Sequence, residues 1–293
     1  MSTKGRDDVT VLDNLSTGQL ANLDPQQEKI SFVHGDLLDS KLLDQVLQGV
    51  EVVYHQAALA SVPRSVAAPL DTHAACATAT LNLLERARAA NVRRVVYAAS
   101  SSAYGNQEFD SKREMDLPRP LSPYAAAKLA GEHYCQAFTA TYGLETVSIR
   151  YFNVFGPRQD PNSQYSAVIP KFVTAMLIGE RPKIFGDGLQ SRDFTYIENV
   201  VRGNLAAATA KNAVGHVINV ACGQQVTLLQ LVESINKQLG TQIEPEFADP
   251  RPGDVRSSLA DISLARKLLA YEPTVVFEEG LRRSVAFYRS LSA

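Results

Sequence analysis

The strongest constraint on this chain is the rhythm of its first half, where short β-branched runs alternate with longer stretches patterned for helices. Such alternation builds βαβ units, whose crossovers leave the strands parallel. Val9–Leu12 reads as a strand ending at Asp13, and Ile30–Val33 as a second, closed by Gly35-Asp36. Leu42–Gln48 is a short amphipathic helix, and Val50–His55 a buried strand. A helix runs from about Pro69 to Ala90, and Arg94–Ala99 is a strand that delivers Ser100-Ser101-Ser102. Ser122-Pro123 supplies an N-cap and a first-turn proline for a helix reaching Tyr142, and Thr146–Arg150 is the next strand.

The second half is cut finer, with turn signals at Phe155-Gly156-Pro157, Asp160-Pro161-Asn162, Gly186-Asp187-Gly188 and Pro250-Arg251-Pro252-Gly253. Val217–Val220 reads as a buried strand returning to the main sheet. The predicted class is α/β. Residues 1–155 form the sheet-bearing domain, with 193–225 returning to it, and 156–293 form a smaller lobe supplying loops over a cleft.

Composition narrows the function classes. A net charge of −2 with no long basic or acidic block points away from nucleic acid and bilayer surfaces. An anionic ligand would need a few local arginines. Cys76, Cys135 and Cys222 are odd in number and widely spaced, so no disulfide framework is expected. His73 and Cys76 share one helical turn, but two ligands do not make a zinc site, and they read as a packing pair with no metal. The first residues carry no apolar leader, and no apolar run approaches membrane-spanning length, so the expected compartment is the cytoplasm.

The chemistry centres on Tyr124-Ala-Ala-Ala-Lys128. Residues four apart share a helix face, so the ammonium can sit beside the phenol, favour phenolate and lower the tyrosine pKa. The spacing alone is weak, since a surface tyrosine and lysine would look the same. Position strengthens it: the triple serine ends a buried strand, and ligands of parallel sheets bind beyond the carboxyl ends of strands. Ser100, Tyr124 and Lys128 can therefore converge on one cleft.

With these residues in place a resemblance becomes specific. Ala99-Ser100-Ser101-Ser102-Ala103-Tyr104-Gly105, Ser122-Pro123-Tyr124-x-x-x-Lys128 and Arg150-Tyr151-Phe152-Asn153-Val154-Phe155-Gly156-Pro157-Arg158 resemble successive signatures of the extended short-chain dehydrogenase/reductase family, in its nucleotide-sugar epimerase branch. Leu12-Asp13-Asn14, Gly35-Asp36-Leu37, His55-Gln56-Ala57-Ala58, Ser191-Arg192-Asp193-Phe194 and Gly253-Asp254-Val255-Arg256 agree, in the family's order along the whole chain.

The resemblance implies a Rossmann-type doubly wound parallel sheet and NAD as cofactor. Asp13 and Asn14 would meet the adenosine ribose, Asp36 and Leu37 would border the adenine, and Ala57 and Ala58 would line the diphosphate and nicotinamide side. Lys128 would also hold the nicotinamide ribose, while Tyr124 moves the proton of the sugar O4 hydroxyl. Ser101 and Ser102, where dehydratase and decarboxylase relatives carry acids, favour epimerisation. Ser61, Ser102, Asn153, Ile169, Phe185, Arg192, Arg256 and Ser258 would bind a UDP-sugar, with the arginines on its diphosphate. Ser258 would be a small gate beside the sugar. The run His55–Ser65 and Arg158-Gln159-Asp160-Pro161-Asn162 resemble UDP-N-acetylglucosamine 4-epimerases of surface-polysaccharide pathways. UDP-GlcNAc/UDP-GalNAc is thus the first expectation and UDP-Glc/UDP-Gal the second. The family also implies a homodimer through the helices near 70–90 and 122–142, whose alanines (Ala74, Ala75, Ala79, Ala125–Ala127) suit close packing between subunits or against the sheet.

Two departures stand against the family pattern. Cys76 takes the place of an asparagine that organises the active-site backbone, and a thiol is a poor donor and acceptor. The family's first strand, Gly-x-x-Gly-x-x-Gly turn and helix find no counterpart in these 293 residues. That turn holds the cofactor pyrophosphate, and its strand lies centrally in the sheet, so an N-terminally incomplete sheet with compromised NAD binding is expected. The favoured explanation is a natural start about thirty residues earlier; a truncated product, or a degenerate relative that binds nucleotide sugar without catalysis, are the alternatives.

Overall fold

The computed structural model describes residues 8–107, 111–161, 168–250 and 255–291. Asn162 of the predicted Asp160-Pro161-Asn162 turn and Arg251-Pro252-Gly253-Asp254 lie outside the described residues, as do the first seven. The elements follow the predicted alternation: β1 (Val9–Asp13), β2 (Ile30–His34), α1 (Ser40–Val46), β3 (Val52–His55), α2 (Val62–Ala67), α3 (Pro69–His73), α4 (Ala79–Ala89), β4 (Arg94–Ser100), α5 (Pro123–Tyr142) and β5 (Glu145–Tyr151). Finer elements come next: β6 (Val154–Phe155), α6 (Val168–Leu177), β7 (Lys183–Phe185), β8 (Ser191–Arg192) and β9 (Thr195–Tyr196). The chain closes with α7 (Ile197–Thr209), β10 (Val217–Val220), β11 (Val226–Thr227), α8 (Leu228–Leu239), β12 (Glu246–Ala248), α9 (Ser263–Leu269) and α10 (Phe277–Leu291).

The main sheet is parallel, ordered β10-β5-β4-β3, with β10 returning to it as the sequence predicts. The alternation of side chains along β4 explains why helices cover both faces. Val95, Tyr97 and Ala99 pack with Leu83, Leu84, Cys135 and Phe138 of α4 and α5. Val96 faces the other way, with Val147, Ile149, Ala207, Ile218 and Leu269 against α7 and α9. A third core, including Phe155, Ile169, Phe172, Phe194, Leu231, Phe277, Leu281 and Tyr288, joins α6, α8 and α10 beside the sheet.

The sheet is in two parts. β1 and β2 pair only with each other, and no strand among the described residues joins β1 to β3. Among the described residues the parallel sheet is thus present as two separately paired parts. This division also corrects one expectation: β3 is half-exposed rather than buried, with Tyr54 at 42%. A strand without a partner on one edge loses both ladder bonds and the cover of neighbouring side chains.

The long helix predicted from Pro69 is broken by a π-turn over Ala74–Thr78. The wider turn splays residues that an α-helix would stack. His73 is exposed while Cys76 is fully buried, so the two do not form the packing pair expected from their spacing. Ala79, Ala125 and Ala127 are buried within the chain, with Ala127 packed on Cys76 and Ala77, whereas Ala126 is exposed.

Candidate active site

Three elements bring the chemistry together at the carboxyl end of the sheet. β4 ends on Ser100, α5 opens at its Ser122 cap, and the π-turn carries Cys76 against both. The Ser122 hydroxyl accepts the Ala125 N–H, which fixes the first turn of α5 and the phase of Tyr124 and Lys128. Tyr97 on β4 donates to the Lys128 carbonyl at 3.1 Å, and Gly131 leaves room for the Tyr97 phenol against the helix.

The Ser100 side chain faces the Tyr124 phenol and favours its ionised form. The Ser102 hydroxyl and N–H both donate to the Ser100 Oγ, at 2.8 and 3.2 Å. Ser100 and Ser102 thus form a hydroxyl pair at the end of β4 that faces Tyr124 and contains no carboxylate.

The electrostatics differ from the expectation in one respect. Burial pushes the Tyr124 phenol up to about 12, opposed by the Ser100 hydrogen bond, and Lys128 does not lower it in this state. Burial also pushes the Lys128 ammonium down to about 8. Its Nζ lies 4.3 Å from the Tyr97 ring centroid and forms no ion pair among the described residues. Desolvation by burial is the leading cause of both shifts. His55, hydrogen-bonded to Thr80 at 2.8 Å, is pushed down to about 3 by burial and then by Lys128, so it stays neutral beneath the site.

The residues expected to hold the cofactor fall into two groups. Asp13, Asn14, Asp36 and Leu37 gather at the ends of β1 and β2: Asn14 Nδ2 donates to Asp36 at 2.6 Å, and Asp13 Oδ1 accepts the Leu15 N–H. A Cβ on Gly18 would come within 3.2 Å of the Asp13 carboxylate, so the glycine leaves that carboxylate an open approach. Ala58 packs with Tyr124, Ala127 and Cys76, which ties the opposite end to the catalytic cluster, while Ala57 is exposed. These two ends fit a dinucleotide: an open carboxylate for a ribose at one, and a buried, unpaired ammonium beside a phenol at the other. No glycine-rich turn before a helix joins them among the described residues.

The expected substrate residues divide. Asn153, Ile169, Phe185 and Arg192 line one cavity of about 270 Å³. Asn153 holds an uncommon backbone with φ +32° and aims Nδ2 at the Asp193 carbonyl and the Ser258 hydroxyl, both at 3.5 Å, so Ser258 lies at that edge. Ser61 instead caps α2, accepting the Arg64 N–H. Arg256 is exposed and turned to Asp187, at 2.7 and 2.9 Å, and does not line the cavity.

Sequence reasoning missed Lys171 and Gln190 in the cavity wall and the role of Asp193, whereas Lys183 opens a segment the resemblance places against the nucleotide. Fully buried Asp193 accepts the N–H groups of Cys222, Gly223 and Ala260, which locks three segments around the site. A buried aspartate inside a quoted motif was the available signal. For Lys171 no signal was present, because only folding places α6 beside β7.

Comparison with known proteins bears on the assignment. The model of the NAD dependent epimerase/dehydratase family matches residues 1–221. The chain belongs to this family. A UDP-N-acetylglucosamine 4-epimerase from Methanobrevibacter ruminantium M1, solved in complex with UDP-N-acetylmuramic acid, is 43% identical with a TM-score of 0.93, over 97% of this chain and 91% of that one. UDP-glucose 4-epimerase from Mycolicibacterium smegmatis is 38% identical over 97% of this chain and 91% of its own length. A dTDP-glucose 4,6-dehydratase from Actinoplanes sp. is 33% identical over 96% of this chain and 88% of its own length, so both branches of the family are represented.

Proposed function

We propose that this protein catalyses NAD-dependent 4-epimerisation of a UDP-sugar, UDP-GlcNAc/UDP-GalNAc first and UDP-Glc/UDP-Gal second. The observation that carries the reading is the hydrogen-bonded Ser100–Ser102 pair facing Tyr124 at the head of the helix that carries buried Lys128, with no acid in it. Dehydration needs a further acid and base at the sugar, and Ser101 and Ser102 supply neither at neutral pH. When bound, NAD+ supplies the hydride acceptor at C4 and a positive charge that favours the Tyr124 phenolate.

The protein's own groups do the rest. Tyr124 takes the O4 proton as the 4-keto sugar forms and returns it on reduction of the opposite face. Ser100 holds the O4 oxygen in register with Tyr124, and Lys128 steadies the phenolate. Arg192 and the cavity hold the nucleotide while the sugar turns over. Ser258, small and beside Asn153, leaves room for an N-acetyl group. Incubation with each UDP-sugar and NAD, followed by chromatographic separation of the C4 epimers, tests the reading. Turnover of UDP-Gal with none of UDP-GalNAc removes the N-acetyl preference, and no epimer from either sugar removes the activity.

A second reading, nucleotide-sugar binding without catalysis, rests on β1 and β2 pairing only with each other among the described residues. Titration calorimetry separates the two, since UDP binding without NAD binding selects the second. The proposal includes a homodimer through α3, α4 and α5, where Leu70, Tyr134 and Tyr142 are exposed apolar residues. Light scattering at the monomer mass rejects it.

A further inference from the structure

A buried polar cluster that the reaction does not use gathers on Asn219 of β10, which is 0% exposed. Its neighbours Ile218 and Val220 join the core under α7 and α9, so the side chain between them turns to the opposite face of the strand. The Asn219 Oδ1 accepts from the Tyr104 hydroxyl at 2.7 Å. Its Nδ2 donates to the carbonyls of Lys112 at 3.0 Å and Asp261 at 3.2 Å. A flipped amide would set its oxygen against two carbonyls, which fixes the orientation and makes the phenol the donor. The Asn219 backbone N–H donates to Glu114 at 2.8 Å.

These partners belong to the segments that carry the site. Tyr104 closes the single turn Ser101–Tyr104, in which Ser102 holds the Ser100 Oγ. The Arg150 guanidinium lies 4.5 Å from the Tyr104 ring centroid, and its ion pair with Glu132 reaches the helix of Tyr124 and Lys128. Lys112 and Glu114 lie between that turn and the Ser122 cap of α5, where the Arg119 N–H donates to the Ala103 carbonyl at 2.9 Å. The Lys112 N–H donates to the Leu259 carbonyl at 2.7 Å, one residue past Ser258, and the Asp261 N–H donates back to the Lys112 carbonyl at 2.9 Å. One amide therefore spans the serine turn, the approach to α5 and the stretch after Ser258.

We propose that Asn219 is a positioning residue for the reaction, acting through the Tyr104 hydroxyl: it holds the Ser101–Tyr104 turn so that the Ser100–Ser102 pair meets the sugar beside Tyr124. The amide fits the task, since one phenol needs an acceptor and two carbonyls need donors. An aspartate keeps the acceptor and loses both donors. The inference rests on the epimerase reading above and adds what keeps its serine pair in place.

Tyr104→Phe removes the one hydroxyl and leaves the ring against Arg150, so it tests the contact with little risk to folding. Two readouts apply. One is amide exchange, read by mass spectrometry on peptides covering residues 100–105, where the Gly105 N–H donates to the Ser102 carbonyl. The other is steady-state kinetics with the UDP-sugar and NAD. Exchange in the turn is expected to quicken about tenfold in Tyr104→Phe, with exchange in α8 unchanged. The kcat is expected to fall about tenfold or more, while KM and UDP affinity by calorimetry stay within about twofold. Asn219→Asp is expected to lower kcat at least as far, and the double variant to fall no further, because both act on one contact. If Asn219→Asp does not fold, Tyr104→Phe alone decides. A merely structural role lowers the melting temperature and leaves the kcat of the folded protein unchanged, and that result overturns the inference. Unchanged exchange in the turn, additive losses in the double variant, or a matching loss of UDP affinity overturns it too. No epimer from the wild type removes the reading beneath it, and the exchange measurement then still decides whether the Tyr104 hydroxyl holds the turn.

Discussion

At the scale of single residues, position counts for more than identity. The pair at Tyr124 and Lys128 is a common spacing, and it becomes chemistry only because β4 delivers Ser100 against the phenol. Phenylalanine keeps the ring and removes the proton carrier, so Tyr124→Phe is expected to lower kcat by about a hundred- to ten-thousand-fold in the epimer assay, with its melting temperature unchanged. Burial that holds the Lys128 ammonium at about 8 also sets a pH limit. The charged form is present below that value and lost above it, so kcat/KM is expected to fall as the pH rises past about 8. A flat profile from neutral to strongly alkaline pH removes the role given to the ammonium. The sequence showed these residues but not their charge state. It suggested a tyrosine pKa lowered by lysine, whereas the degree of desolvation belongs to the folded interior.

At the scale of elements, local rules located strands and helices well and missed their interruptions. Ser122-Pro123 announced α5, and Gly143 in the left-handed region at φ +74° ends it one residue past Tyr142. The π-turn at Ala74–Thr78 left no trace in the hydrophobic pattern, because one inserted residue is invisible to a periodicity spanning six turns. It is stabilised within the fold, where the Thr80 hydroxyl donates to the Cys76 carbonyl and accepts from His55. The seam between α5 and β4 depends on Gly131, where a Cβ would sit 2.2 Å from the Tyr97 hydroxyl. Gly131→Ala is expected to cost about 1–3 kcal/mol in urea unfolding, and adding Tyr97→Phe is expected to restore part of it. Across the same seam Arg150 of β5 meets Glu132 at 2.8 Å with both side chains buried, an ion pair that ties the catalytic helix to the sheet.

At the scale of the whole molecule, the site is assembled from segments far apart in sequence. Asp193 binds the loop after β10 and the stretch at Ala260, and burial pushes its carboxyl up to about 6 against the N–H donors that favour the anion. Asp193→Ala strands three N–H groups, so a loss of about 3 kcal/mol or more is expected in chemical denaturation, together with weaker UDP binding by calorimetry. The α/β class, the parallel sheet, the return of β10 and the meeting of Ser100 with Tyr124 were legible in the sequence. Each is written in short-range pattern or in motifs whose spacing survives without coordinates. Only the tertiary structure decided that Arg256 turns to Asp187, that Ser61 caps a helix, and that Gln190 keeps a buried oxygen without a partner. Those outcomes depend on which side chains meet and how much water is left between them, and neither quantity is a property of any local stretch of chain.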